Sequence, residues 1–265
     1  MMLKKLFLLL VKLVLLSYIL LIGFAWGLSD FLVFLPPEAG YKKNNQLIYI
    51  QSQTNGSHST HAIVADYTIN PAAKYTVIYN HGNAVDLSGL QRLKQQFIEH
   101  NYSIIMYDYS GYGLSAGEPS EQQVYNDSQA VYDYLIKKQH LQPNQIIIYG
   151  HSLGSAVATN LALNHSAAAL ILISPFTSAF RVKTFYPILP FDKFRTSSKL
   201  PKVHIPLLLM HSRDDKIIPV SHGKTLFAIA NQPKHAVWFD HAGHNGISHQ
   251  GKAFWQPLQT FINTL

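Results

Sequence analysis

Hydrophobic and polar positions divide the chain into three regimes. Residues 6–28 are apolar apart from Lys12, Ser17 and Tyr18, and apolar character resumes over residues 31–35, just before Pro36-Pro37. A run of about 20 apolar residues is long enough to cross a bilayer as a helix. Residues 46–51 and 61–69 then alternate between apolar and polar, the period-2 signature of half-buried strands, with a polar turn over 52–60. From residue 75 the pattern changes again. Short apolar runs at 75–80, 103–109, 146–149, 168–173, 205–211 and 235–239 are separated by helical spacing at 86–100, 121–138, after 154, at 221–230 and at 252–265. Buried-type strands that alternate with helices predict an α/β fold, with a mostly parallel central sheet and helices on both faces.

At 265 residues, the chain suits one large domain over 36–265 behind an N-terminal segment 1–35. Pro36-Pro37-Glu38-Ala39-Gly40 serves as stop and linker. The N-terminal segment has two readings. As an uncleaved transmembrane anchor it is favoured, because its apolar length exceeds a typical signal-peptide core. As a cleaved signal it would use Lys4 and Lys5 as the charged start, residues 13–24 as the apolar core and Ala25-Trp26-Gly27 as the cleavage site. Lysines on the N-terminal side keep that end in the cytoplasm under either reading, so the rest of the chain is expected across the membrane. A buried core helix fits poorly with so long an apolar run at a terminus.

Charge and composition narrow the chemistry. Of 21 Lys and Arg, three (Lys4, Lys5 and Lys12) belong to the N-terminal segment, which leaves 18 against 14 Asp and Glu. That excess is scattered, so no nucleic-acid partner is expected. The chain has no cysteine, which excludes disulfides, Cys-based metal sites and a thiol nucleophile, and fits an oxidising compartment.

The most informative stretch is Gly150-His151-Ser152-Leu153-Gly154, set between an apolar strand and a small-residue helical segment. A G-x-S-x-G turn of this kind lifts its serine clear of the sheet and demands small residues two before and two after it. The helix that follows points its free N–H groups at the same place. A serine nucleophile needs a base and an orienting acid, and in this topology they follow it in the order acid, then histidine. Asp214 and Asp215 compete for the acid, with Asp215, four residues before Pro219, preferred and Asp214 taken as solvated or as a cap. His241 and His244 compete for the base, both after the strand that ends at Phe239. The same His-x-x-His has no third ligand in the sequence, so no metal is expected. His81-Gly82-Asn83-Ala84 follows an earlier strand and suits an oxyanion turn, with the N–H of Asn83 joining that of Leu153. Asp108-Tyr109-Ser110-Gly111-Tyr112-Gly113 lacks the Lys-Ser/Thr pair of a phosphate loop and reads as a shaped loop beside the site.

Taken together, NHGNAVDL (80–87), YDYSGYGLSAGEPSE (107–121), GHSLG (150–154), HSRDDKIIPVSHG (211–223) and HAGHN (241–245) make everything after the N-terminal segment resemble the α/β-hydrolase superfamily. The likeness is to its small-lid, often membrane-associated branch, which includes protein depalmitoylases and is labelled serine-aminopeptidase-like. The resemblance implies an α/β-hydrolase fold, Ser152 as nucleophile, Asp215 as acid, His244 as base, and backbone donors at Asn83 and Leu153. Ser212 departs from the glycine usual after His211. A lid is expected over residues 175–204, which hold Phe176, Phe180, Phe185, Tyr186, Pro187, Ile188, Leu189, Pro190, Phe191 and Phe194. Those aromatics either receive an apolar acyl group or simply pack on the domain. The expected activity is hydrolysis of an ester or thioester of a small-molecule or acylated substrate without a cofactor. An amidase or aminopeptidase, or a catalytically silent scaffold, are the alternatives.

Overall fold

A computed structural model describes residues 2–184 and 186–265, so Phe185 of the aromatic segment lies outside the described residues. The first element, α1 (Met2–Val33), is one continuous 32-residue helix. The two apolar stretches of the sequence are thus joined through Ser29 and Asp30, and the helix stops three residues before Pro36, where the ring of a proline disfavours helical backbone in the residue ahead of it. The helix is long and apolar enough to cross a membrane. Its side chains stand away from the domain, with Phe24 66% and Trp26 71% exposed, which removes the buried-core-helix reading. Its last turns are docked most closely, where Ser29 and, just beyond, Phe34 are buried, and further back Tyr18 OH donates to the carbonyl of Ile188 (2.7 Å).

Eight strands form one sheet: β1 (Leu47–Gln53), β2 (Thr60–Thr68), β3 (Thr76–Asn80), β4 (Ser103–Tyr107), β5 (Ile146–His151), β6 (Ala169–Ile173), β7 (Leu207–Ser212) and β8 (Lys234–Phe239). Their spatial order is β1-β2-β4-β3-β5-β6-β7-β8. β1 pairs antiparallel with β2, and β2 with β4, and every other pairing is parallel. The helices are α2 (Gln91–Glu99), α3 (Glu121–Lys137), α4 (Leu153–Asn164), the single turn α5 (Thr196–Lys199), α6 (Val220–Ile229) and α7 (Lys252–Ile262). The expected helix at 86–100 begins with a tighter turn over Leu87–Leu90, because the Asp86 carboxylate accepts the N–H of Ser88 and caps it.

The period-2 alternation of the strands sorts side chains into two cores. Ile78, Ile146 and Ile148 face a layer made with Val124, Val131 and Leu135 of α3, Val157 and Leu161 of α4 and Leu226 of α6. Val77, Tyr79, Ile147 and Tyr149 face the opposite layer, made with Leu93 and Phe97 of α2 and Phe254, Trp255 and Leu258 of α7. Burial on both faces explains why these strands read as continuous apolar runs. The parallel strands all end on one edge, where the loops after β3, β5, β7 and β8 converge.

Candidate active site

Ser152 is the single residue between β5 and α4, at φ +54° and ψ −117°, a positive-φ conformation that only a tightly packed turn sustains. Its N–H bonds the carbonyl of Ile173 at the end of β6 (2.9 Å). His151 beside it is held neutral, its pKa lowered to about 4 by burial and then by the neighbouring His244 ring.

Asp215 and His244 come from the loops after β7 and β8, and the structure brings both to Ser152. His244 Nε2 lies 2.8 Å from Ser152 Oγ, and its Nδ1 lies 2.7 Å from Asp215 Oδ2. A carboxylate only accepts, so Nδ1 carries the proton and Nε2 is left to accept from the serine hydroxyl. Burial pushes the Asp215 carboxyl up, but hydrogen bonds from His211 and His244 and from the N–H of Ile218 outweigh it and hold it well below the usual range. His241 is set apart, its side chain 91% exposed and 3.9 Å from Asp214.

Four residues support the relay in roles that the sequence did not announce: His211, Ser212, Asp214 and Ser174. His211, fully buried, places Nε2 2.9 Å from the Ile218 carbonyl and 3.3 Å from Asp215 Oδ2. Asp214 is exposed, as expected, but it is not only solvated: it accepts from Ser212 Oγ (2.5 Å) and from the N–H of Gly243 (2.8 Å). Ser212, the departure from glycine, also accepts the N–H of Ala242 (3.0 Å), so its hydroxyl stitches the acid loop to the histidine loop. Ser174 Oγ donates to the His244 carbonyl (3.2 Å). The bonds to Ala242, Gly243 and His244 join residues about 30 to 70 positions apart, which no local spacing announces.

Asn83 follows β3, whose last residue Asn80 pairs with Gly150 of the serine strand. Gly82 is needed for proximity: a β-carbon there would sit 3.1 Å from His151 Nδ1. The left-handed residue of this turn is Ala84, at φ +55°. The 107–115 loop braces it from below, with Tyr109 OH donating to the His81 carbonyl (2.9 Å) and Asp108 accepting the N–H of Leu87 (3.0 Å). Burial, opposed by the Tyr41 hydrogen bond, raises the Asp108 pKa to about 7.

Ser152 opens into a cavity of about 520 Å³ with apolar walls, among them Leu35, Val85, Leu93, Ile173, Ile217 and Ile247. No acidic side chain and none of the described residues of 175–204 line it. That segment lies instead beside the end of α1, where the two enclose a separate cavity of about 760 Å³. Within the segment, Phe176 and Phe194 are core, Phe180 and Phe191 pack on each other, and Ile188 stays exposed.

Comparison with known proteins agrees with this architecture. The serine aminopeptidase S33 family model matches residues 71–191. The α/β hydrolase domain-containing protein 17B of Homo sapiens is 37% identical over 201 residues, covering 73% of this chain and 68% of that protein. Its counterpart in Xenopus laevis is 38% identical over 199 residues, with 72% and 67% covered. Among solved structures, a Pyrococcus furiosus esterase superposes with a TM-score of 0.71 at 16% identity over 87% of this chain and 97% of its own. The esterase domain of a Rhodothermus marinus protein gives 0.60 at 17% identity over 82% and 98%. At such identity the structural likeness speaks to fold, whereas the sequence relatives speak to descent. The chain is a hydrolase of the α/β-hydrolase superfamily, in the group that holds the α/β hydrolase domain-containing 17 proteins.

Proposed function

We propose that the chain is a membrane-anchored serine hydrolase that cleaves carboxylic esters or thioesters of acyl-type substrates through an acyl-enzyme on Ser152. The observation that carries this reading is the unbroken relay from Ser152 Oγ through His244 to Asp215, at 2.8 and 2.7 Å. His244 Nε2 takes the hydroxyl proton as Oγ attacks the acyl carbon, and the N–H groups of Asn83 and Leu153 hold the developing oxyanion. Asp215 keeps the His244 tautomer and stabilises the imidazolium. His244 returns the proton to the leaving alcohol or thiol, then activates water to release the acid. The relay supplies every proton transfer, so the reaction asks for no cofactor.

Apolar walls around Ser152 favour an acyl group over a peptide. An aminopeptidase requires a carboxylate to receive the free amine, and none lines the cavity. Asp192, the acid of the 175–204 segment, is engaged by Ser178 Oγ (2.6 Å) and the N–H of Phe180 (2.9 Å) beside the other cavity. Lys4 and Lys5 at the start of the apolar N-terminal helix support a cytoplasmic N-terminus with the hydrolase domain on the extracytoplasmic side; cleavage after Ala25-Trp26-Gly27 would release the domain instead.

The test is labelling of the purified full chain by a fluorophosphonate, compared with Ser152→Ala and His244→Ala. Label on the wild type that both variants lose supports the reading, and p-nitrophenyl esters of rising chain length then define the acyl group. A folded wild type that takes no label sinks it, and leaves the scaffold reading.

A further inference from the structure

The side chain of Asn83 is committed to a task that an oxyanion donor, which uses only its backbone N–H, does not require. Its Oδ1 accepts from the N–H of Leu35 (2.9 Å), from Tyr112 OH (2.6 Å) and from the N–H of Ala84 (3.0 Å), and its Nδ2 donates to the carbonyl of Val33 (2.5 Å). Val33 is the last residue of α1. The final carbonyls of a helix have no partner within it. Asn83 supplies one across 50 positions of sequence.

The same amide therefore faces two ways. Toward α1 it closes the end of the helix and fixes Leu35, whose side chain walls the cavity of Ser152. Toward the site it holds Ala84 at φ +55°, a conformation that a residue with a β-carbon keeps only under restraint. Four bonds on one short side chain leave it little rotational freedom and tie the backbone of Leu35, Ala84 and Val33 to the same turn. Other contacts grip the same end of the helix: Phe34 is buried with its ring edge-on to Phe194 at 5.8 Å, and Lys193 pairs with Asp30 at 2.5 Å. The end of α1 is thus continuous with the turn that would stabilise the transition state.

We propose that the Asn83 side chain is a positioning group that couples the oxyanion turn to the C-terminal end of α1, so that turnover at Ser152 depends on how the anchor helix is held. This rests on the serine-hydrolase reading. It makes the helix part of the catalytic apparatus and gives the membrane a route to regulate the reaction. An oxyanion donor must lie within about 2.7–3.1 Å of the oxygen it stabilises, and losing one costs roughly 10²–10³ in kcat. Loosening one without deleting it costs less, and because the contact matters in the transition state the loss falls on kcat rather than KM.

The experiment uses the full chain in phospholipid vesicles, with Asn83→Ala, Phe34→Ala, the double variant and the milder Tyr112→Phe. Each is assayed for kcat and KM on p-nitrophenyl butyrate, for affinity toward a trifluoromethyl ketone that mimics the tetrahedral intermediate, and for melting temperature. Asn83→Ala is expected to lower kcat about 10- to 100-fold with KM changed less than about threefold, and to weaken the ketone by a similar factor. Phe34→Ala, which touches no reacting group, is expected to lower kcat in the same sense, and the double variant to fall short of the product of the two. Tyr112→Phe keeps the ring and removes one bond to Asn83, so a smaller fall in kcat decides the matter if Asn83→Ala does not fold. Unchanged kcat in folded Asn83→Ala or Tyr112→Phe, or strict additivity with Phe34→Ala, overturns the coupling. If the wild type labels with fluorophosphonate while those results appear, the coupling alone fails; if it neither labels nor turns over, the hydrolase reading fails and takes the coupling with it.

Discussion

A β-carbon placed on Gly150 would lie 2.2 Å from the carbonyl oxygen of Gly154, and one on Gly154 would lie 2.0 Å from the carbonyl oxygen of Asn80. Strand β5, helix α4 and strand β3 therefore meet backbone to backbone around the serine. Gly150→Ala must push α4 outward, and overpacking of this kind costs about 1–3 kcal/mol. The chain is expected to fold with a lowered melting temperature and to lose fluorophosphonate labelling by more than about 100-fold, because the N–H of Leu153 moves with the helix. Labelling at the wild-type rate would show that the close approach is dispensable.

Asp215 is shared by two histidines, His244 at 2.7 Å and His211 at 3.3 Å. Asp215→Asn presents an amide that can donate to Nδ1 and so favours the wrong imidazole tautomer, with kcat expected to fall about 10⁴-fold at neutral pH. His211→Phe keeps a buried ring and removes the polar contact. A hydrogen bond to a charged group is worth about 1.5–3 kcal/mol, so a fall of roughly 10- to 100-fold in kcat/KM is expected. Steady-state kinetics on a single p-nitrophenyl ester separate the two variants, and equal losses in both would refute the ranking.

Ser212 carries hydrogen bonds to Asp214, to the carbonyl of Phe239 and from the N–H of Ala242. At about 0.5–1.5 kcal/mol each, their removal in Ser212→Ala is expected to destabilise the protein by about 1–3 kcal/mol. Amide hydrogen exchange should quicken at Ala242 and Gly243 ahead of the rest of the sheet. Uniform exchange across the molecule would mean the hydroxyl has no local role.

Acid sensitivity follows from buried groups whose pKa values differ between folded and unfolded chain. Burial lowers His81 and His151 to about 4 from an ordinary 6.5, so the unfolded chain binds more protons between those values. Stability contributed by their neutral forms is present above pH 6.5 and lost as pH falls toward 4. Asp108, raised to about 7, acts in the opposite sense: the folded chain holds its proton, and stability falls as pH rises through 3.8 to 7. Two groups outweigh one below 6.5, so the melting temperature is expected to drop from pH 6.5 to 4.5. Asp108→Asn is expected to steepen that drop, and thermal melts across this range check it; a shallower slope in the variant contradicts the assignment.

Much of this fold is written in local patterns. Strands 75–80 and 146–149 read as apolar runs because both faces of β3 and β5 are covered, and the serine turn is visible because two glycines must flank Ser152. The hydroxyl of Ser212, the ring of His211 and the amide of Asn83 were not legible, since their partners lie 30, 7 and 50 positions away and are set by strand order rather than by spacing. The 175–204 segment shows a different limit. Its aromatic content is plain in the sequence, but whether it faces Ser152 or α1 depends on where the chain's first helix docks, and composition carries no information about that.

Strand β6 offers no reactive group, yet it stands between the strand that bears Ser152 and the strand that leads to Asp215. The carbonyl of Ile173 at its tip receives the N–H of Ser152, and the hydroxyl of Ser174 reaches the backbone of His244. It therefore works as a spacer gauge: it sets the strands on its two sides two inter-strand spacings apart, about 9.6 Å, the gap that the acid and histidine loops must reach back across. A change in the length of β6 would be felt as a fault of reach, with the serine and its base both intact and out of each other's range.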